Sequence, residues 1–335
     1  MTVTVAIPVR DGAATLDGVL AAVRAQVVGD EVELLVCDSG SRDGSQAIAR
    51  RHGARLIEIA PERFAHGPTR NLLMSEARGE HVALLTQDAE PADERWLGRL
   101  LDGFALGDEV ALCFGPYRPR PGVDEQTARE LERWFHSLAP DGAPRVDRLA
   151  PAERVLPARE LFGRRTFFTD ANACLRRDVW ERVPFREVAY AEDQALALDV
   201  LRAGYAKVFV PGAAVVHSHD YTVVQQFRRA FDEWRGLLEV YGWREPLHPR
   251  EIAGRLRGEL GAQRRELAAD GAPAARSTAT LAAATRHHVV RLAGALLGSR
   301  ADRLPPSVRG WCSLEGRRSF VAADPDGGPR GVAPR

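Results

Sequence analysis

Over its first 117 residues the chain alternates short apolar runs with amphipathic stretches, and that rhythm restricts the folds open to it. Residues 3–8, 32–37, 55–59, 81–86 and 110–117 are aliphatic or β-branched runs of strand length. Between them, Leu16, Val19, Leu20 and Val23 share one face of a helix over residues 14–26, and Leu97, Leu100, Leu101 and Phe104 repeat the pattern later. Residues 45–51 have room for a short helix, and Pro68 suits the first turn of another that runs to about Ala77. Strand and helix in repetition predict an α/β fold with a mostly parallel, Rossmann-like sheet and helices on both faces. Ligands of such a sheet gather at the carboxyl ends of its strands.

Residues 118–165 break the rhythm with scattered Pro and Arg and one expected helix over 125–137, and read as an insertion or lid. The alternation resumes over 166–240, with strands expected at 172–175, 207–210 and 213–217 and helices at 191–204 and 222–241. Residues 241–322 form a helical, Ala/Arg-rich extension, and the Gly/Pro-rich residues 323–335 read as a disordered tail. In the extension Val289, Leu292, Ala293, Leu296 and Leu297 make an apolar stripe beside Arg286, Arg291 and Arg300. Three occupants suit it: the catalytic domain itself, a second copy in a homodimer, or an anionic membrane surface.

The formal net charge is zero, which removes the global basic field that nucleic acid requires. From Tyr241 onward, however, 16 arginines stand against 9 acidic residues. Lys207 is the lone lysine. Cys37, Cys113, Cys174 and Cys312 are far apart with no C-x-x-C pair, which argues against a disulfide framework or structural zinc. A strand-like run directly after Met1, and no apolar stretch near the roughly 20 residues of a membrane span, lead to the expectation of a cytoplasmic protein.

The chemistry-bearing residues cluster where strands end. Asp38 closes the second strand before a Gly-containing turn, where a carboxylate can accept hydrogen bonds from a ribose or base. The alternative is that Asp38 and Asp43 cap the helix after the turn. Asp88 follows the fourth strand, a position suited to Mg²⁺ or Mn²⁺, which take few protein ligands and otherwise bind diphosphate oxygens. Arg70 and Asn71 stand in the first turn of a helix, where Arg70 either forks onto a phosphate or pairs with a surface acid such as Glu80. His66, just ahead of them, either faces the ligand or, as is commoner for a lone loop histidine, is solvated. Glu192 and Asp193 open another helix, as charges complementing its dipole or as a general base. His217 and His219 follow a strand, and if it continues they point to opposite faces, leaving at most one in the site.

Six segments in this order and spacing resemble the family 2 glycosyltransferases of GT-A fold over residues 2–240. They are Ile7-Pro8-Val9, the run from Cys37 to Ser45, Thr69-Arg70-Asn71, the run from Leu84 to Pro91, Glu192-Asp193, and His217. The stretches beginning at Phe64, Leu85 and His217 are most similar to the bacterial rhamnosyltransferase branch. The resemblance implies an inverting transfer of one sugar, with rhamnose from dTDP-rhamnose as the leading candidate, to a hydroxyl of a glycan, lipid-linked or small-molecule acceptor. It places the nucleotide-diphosphate donor on Pro8, Val9, Arg10, Asp11, Asp38, Ser39 and Gly40, with Arg70 and Gln87 at the diphosphate. A divalent metal, Mg²⁺ or Mn²⁺, falls to Asp88 with His217 or His219, and Asp193 with Glu192 beside it deprotonates the acceptor. One departure concerns the metal. The family's Asp-x-Asp motif has Thr86 at its first position here. Gln225-Gln-Phe-Arg228-Arg229 only echoes the Gln-x-x-Arg-Trp motif of polymerising members, which favours single-sugar transfer.

Two rival classes are separable. A nicotinamide dehydrogenase needs G-x-G-x-x-G after its first strand, and residues 8–12 lack that spacing. A nucleotidylyltransferase needs a Gly-rich phosphate loop with a lysine, and the lone lysine is at 207. A non-catalytic scaffold of the same fold draws support from Thr86 alone.

Overall fold

The computed structural model describes residues 2–269 and 274–316. The first half runs β1 (Thr2–Val9), α1 (Ala13–Arg24), β2 (Glu31–Asp38), α2 (Ser45–Arg51), β3 (Arg55–Glu58), α3 (His66–Glu76), β4 (His81–Leu85), β5 (Glu90–Pro91), α4 (Trp96–Asp102), β6 (Val110–Phe114) and β7 (Tyr117–Arg118). The second half continues with α5 (Glu125–His136), β8 (Arg145–Asp147), α6 (Ala158–Leu161), β9 (Asn172–Arg176), α7 (Arg177–Trp180), α8 (Glu192–Arg202), β10 (Ala206–Phe209), β11 (Val215–Val216) and α9 (Val223–Tyr241). The extension comprises α10 (Pro249–Ala269), α11 (Ala274–Gly298) and α12 (Pro306–Cys312). The expected tail at 323–335 lies outside the described residues.

The main sheet has the order β3-β2-β1-β4-β9-β6-β10-β8. β1 to β4 are parallel, as are β6 and β10, whereas β9 runs antiparallel between β4 and β6 and β8 is an antiparallel edge. Strand alternation sends Val3, Val5, Ile7 and Val9 to one face, against Leu16, Leu20 and Leu97, while Ala6, Leu35 and Cys37 join Leu73, Phe168 and Leu196 on the other. Two cores therefore sandwich the sheet, as a mostly parallel sheet requires. The four cysteines are buried and free.

Two expected strands come out shorter, and both changes shape the site. The run at 110–117 splits at Gly115-Pro116, because Pro116 has no N–H for the ladder. The run at 213–217 keeps only Val215–Val216. The pieces β7 and β11 join β5 in a small second sheet that holds the loop after β4 against the segment starting at His217.

The extension docks on the catalytic half through α11, which lies along α9, with the apolar stripe only partly covered. Its buried positions include Ala284, His287, Ala295 and Gly298, whereas Val289 and Leu297 are exposed. Close approach is the reason. A Cβ on Gly294 would stand 2.5 Å from the Phe227 carbonyl oxygen, and one on Gly298 would stand 2.3 Å from that of Phe231. Small residues let the two backbones meet, Val289 and Leu297 turn outward, and Leu292 and Leu296 stay half-buried. Among the described residues no helix is long and apolar enough to cross a membrane.

Candidate active site

At the carboxyl edge, the loops after β1 and β2 are clasped together. Ser39 donates from its backbone (2.9 Å) and its hydroxyl (3.1 Å) to the Val9 carbonyl, Asp11 N–H donates to Ser41 Oγ (2.9 Å), and Arg42 N–H to Asp11 Oδ1 (2.8 Å). Gln87 reads the Arg10 backbone as a strand would, accepting its N–H at 2.7 Å and donating to its carbonyl at 3.1 Å. Pro8 is partly buried and Val9 buried, while the side chains of Arg10 and Asp11 are exposed at the rim. Asp43 accepts from Ala13 N–H and from Ser45, so it caps the start of α1 and closes its own turn.

Asp38 is 1% exposed. Its Oδ1 accepts from Gly40 N–H (3.0 Å), Ser41 N–H (3.0 Å) and Gln46 Nε2 (2.8 Å), whereas Oδ2 is buried with no protein partner. Burial works to raise its pKa, but the hydrogen bonds from Ser41, Gln46 and Gly40 outweigh it and hold the carboxyl below its usual range. Asp38 is thus a buried carboxylate with one oxygen saturated by protein donors and the other without one.

Asp88, His217 and His219 come together. Asp88 Oδ1 lies 3.5 Å from His217 Nδ1 and Oδ2 lies 3.7 Å from His219 Nδ1, and one ligand atom from each residue falls within 4.8 Å of the others. Here the structure corrects the expectation that at most one histidine enters. β11 stops at Val216, so the alternation that would separate positions i and i+2 no longer applies. Burial favours the neutral Asp88 acid, yet His217 and His219 outweigh it and keep the carboxyl below its usual range. Burial depresses His217 to about 4, with Asp88 opposing. Two imidazoles beside a carboxylate offer a set of ligand atoms suited to a divalent cation. Thr86 leaves the first Asp-x-Asp position without a carboxylate, and His219 supplies a third donor atom in its stead.

Arg120, in the insertion, also reaches this corner. Its guanidinium donates to the Asp88 carbonyl, and its N–H to Ser218 Oγ at 2.9 Å. Nothing in a Pro/Arg-rich stretch distinguished it beforehand.

The acid end is built by α3, α8 and the start of β9. Gly67 lets α3 press on the chain before α8, since a Cβ there would stand 2.2 Å from the Arg186 carbonyl. Asn71 clamps the same loop, accepting from Trp180 Nε1 (2.8 Å) and Phe185 N–H (3.0 Å). Ala191 enters α8 with φ of 65°, a left-handed conformation that Ala adopts only under tertiary constraint. Glu192 is buried, and Asp193 is partly exposed. Burial raises Asp193 well above an ordinary aspartate, with Asp170 and then Glu192 adding like charge. Burial also raises Glu192.

Arg70 is occupied within the protein. It is 3% exposed, donates to the Leu85 carbonyl (3.1 Å), and forks onto Asp170 at 2.9 and 3.1 Å. Asp170 carries no strand-end signal, because it precedes its strand instead of following it. β9 is antiparallel, with Asn172 opposite Leu85, so the residues before it land at the ligand edge. His66 is not simply solvated: its Nε2 lies 2.8 Å from Glu315 and its Nδ1 3.8 Å from Glu192.

The sequence profile of glycosyl transferase family 2 matches residues 4–183, more than half of the chain, and that of glycosyl transferase family group 2 matches residues 148–238. The chain belongs to glycosyl transferase family 2. This glycosyltransferase is similar to the O-antigen chain rhamnosyltransferase RfbN of Salmonella typhimurium, 30% identical over 237 residues covering 69% of this chain and 71% of the relative. It is also similar to the O-antigen chain rhamnosyltransferase WbaN of Salmonella anatum, 30% identical over 203 residues, 60% of this chain and 61% of that relative's length. The fold resembles that of the mannosyltransferase PcManGT from Pyrobaculum calidifontis in complex with GDP-Man and Mn²⁺. The TM-score is 0.57 at 19% identity, over 88% of this chain and 86% of the other. The expected α/β fold of GT-A type and the transferase class both hold.

Proposed function

We propose that this glycosyltransferase moves one rhamnosyl unit, with inversion, from dTDP-rhamnose to a hydroxyl of a glycan or lipid-linked acceptor in cell-envelope polysaccharide synthesis. The observation that carries the reading is the Asp88–His217–His219 cluster after β4, with the Glu192–Asp193 pair tied to the same strand end through Asp170 and Arg70, and Tyr117 between them against His217 and Asp193. Two rhamnosyltransferase relatives favour rhamnose.

Asp38 receives the nucleoside, because its buried Oδ2 lacks a donor that a base N–H or ribose hydroxyl would supply. Asp88, His217 and His219 hold the divalent cation, and two imidazoles beside one carboxylate favour Mn²⁺ over Mg²⁺. That cation, when bound, offsets charge on the departing diphosphate. Arg120 adds fixed positive charge beside Asp88. Asp193 takes the acceptor's proton while the acceptor oxygen bonds to the anomeric carbon and the bond from that carbon to the diphosphate breaks. An ordinary aspartate is a weak base for this step, and the raised pKa of Asp193 brings it closer to working pH. Arg70 braces Asp170 and the end of β4 beneath the site.

The outer surface of the extension supports contact with an anionic membrane that carries the acceptor. Trp311 is 66% exposed there, with Val308, Val289 and Leu297 also exposed on an arginine-rich segment. The test of the reading is nucleotide release from dTDP-rhamnose, UDP-glucose and GDP-mannose with Mn²⁺. Preferential release of dTDP is expected. Neither turnover nor binding of any sugar nucleotide would sink it.

A further inference from the structure

After α12 the chain returns to α9 and is gripped there. Cys312 is buried in an apolar cluster with Phe231 and Ala301. Ser313 Oγ and Leu314 N–H both donate to Asp232 Oδ2, at 3.1 and 2.7 Å, and Asp232 is itself buried on α9. Two donors on one buried carboxylate fix the backbone at 313–314, and this aims the next side chain. Glu315 Oε1 lies 2.8 Å from His66 Nε2, across 249 positions of sequence. The opposite ring nitrogen of His66 faces Glu192 Oε1 at 3.8 Å, and the ring is packed edge-on by Phe64 and Tyr190. Tyr190 in turn lies under the Arg229 guanidinium of α9, 4.8 Å from the ring centre.

We propose that Glu315 is a positioning residue for sugar transfer: it orients His66 toward Glu192, so the end of the extension completes the acceptor side of the active site. The inference rests on reading Glu192–Asp193 as the acid/base end. Around that end stand Asp170, Glu192 and Asp193, and Arg70 is already committed to Asp170. A second cation is needed if Asp193 is to ionise as a base. Glu315 supplies it indirectly. A carboxylate on Nε2 fixes the ring with Nδ1 toward Glu192, as a carboxylate orients a histidine in many sites, and the His66 charge opposes the rise that burial imposes on Glu192. The charged groups facing His66 are Glu315 from the strap and Glu192 from α8, with Asp193, Asp170 and Arg70 behind Glu192.

The test compares wild type with Glu315→Ala, Glu315→Gln and Glu315→Asp in dTDP release from dTDP-rhamnose with Mn²⁺, water acting as acceptor, with thermal melts as the folding control. Glu315→Ala should lower kcat on the order of tenfold, the scale of a misplaced catalytic group. Donor KM should stay within about twofold, the acid limb of the rate profile should move to higher pH, and Glu315→Asp should recover part of the loss. Wild-type kcat and an unmoved acid limb in folded Glu315→Ala would overturn the inference, and so would a loss seen only in donor KM. If the wild type itself releases no nucleotide, the functional reading fails separately. The contact is then decided by ¹⁵N NMR of the His66 ring, identified with His66→Gln: Glu315→Gln must shift its nitrogens, and unchanged shifts overturn the proposal.

Discussion

Replacing Arg70 by methionine keeps most of the side-chain volume and removes the guanidinium that joins β4 to the loop before β9. Its side chain and that of Asp170 are 3% and 8% exposed, so solvent screening offers little relief. Removing one partner of a buried ion pair costs about 3–5 kcal/mol, because the remaining charge is stranded. The Leu85 carbonyl also loses its donor, which is part of that figure. Against a total stability of about 5–15 kcal/mol the loss is large. Urea unfolding of Arg70→Met, Asp170→Leu and the double variant forms the cycle. The double variant should recover most of the deficit, since an apolar pair of similar volume often matches a buried ion pair. It should also keep donor KM near wild type. A loss below about 1 kcal/mol in Arg70→Met would refute the bracing role. Raised donor KM in both the single and double variants would instead put Arg70 on the diphosphate.

The other predictions concern the base and the scaffold. Asp193→Asn should retain donor binding while transfer falls on the order of 10²–10⁴-fold, and in wild type the acid limb of kcat/KM should lie above the usual aspartate range, because burial with Asp170 and Glu192 raises that group. Equal loss of donor affinity, read by titration calorimetry, would contradict the assignment. Glu130, on α5, is held down at about 2: burial opposes this, but the His287 hydrogen bond and charge and the Arg291 charge outweigh it. Its folded pKa is depressed, so its contribution, at most about 3 kcal/mol, is present above its ordinary 4.5 and lost as pH falls toward 2. Glu130→Gln should flatten stability against pH in that window when followed by denaturant unfolding. Gly298→Val should lower stability by about 1–3 kcal/mol by pushing α11 off the Phe231 carbonyl, which a thermal melt reads directly.

Sequence periodicity carried the layered α/β architecture, because buried parallel strands and amphipathic helices leave strong local patterns. Strand-end position also led to Asp38 and Asp88, since the residue after a parallel strand must emerge at the ligand edge. Asp170 escaped that rule because strand direction is a property of the sheet: reversing β9 brings its leading residues to the same edge. The two histidines share the site for a related reason, as β11 ends at Val216, one residue before His217 and three before His219. Arg120 and Glu315 carry no local signal at all. Each reaches the site only through tertiary packing, Arg120 from the insertion and Glu315 from a strap fastened to Asp232. The extension's apolar stripe showed the limit of counting hydrophobic residues, because α11 packs through glycine and alanine where backbone proximity decides the fit.

Calorimetric titration of dTDP in Mn²⁺ and in chelator, for wild type and Asp88→Ala, tests the metal-assisted donor site most directly. The account predicts binding in Mn²⁺ that weakens strongly in chelator, and an Asp88→Ala protein with the weak affinity in both conditions. Equal dTDP affinity with and without metal in the wild type, or no dTDP binding in either, would contradict it.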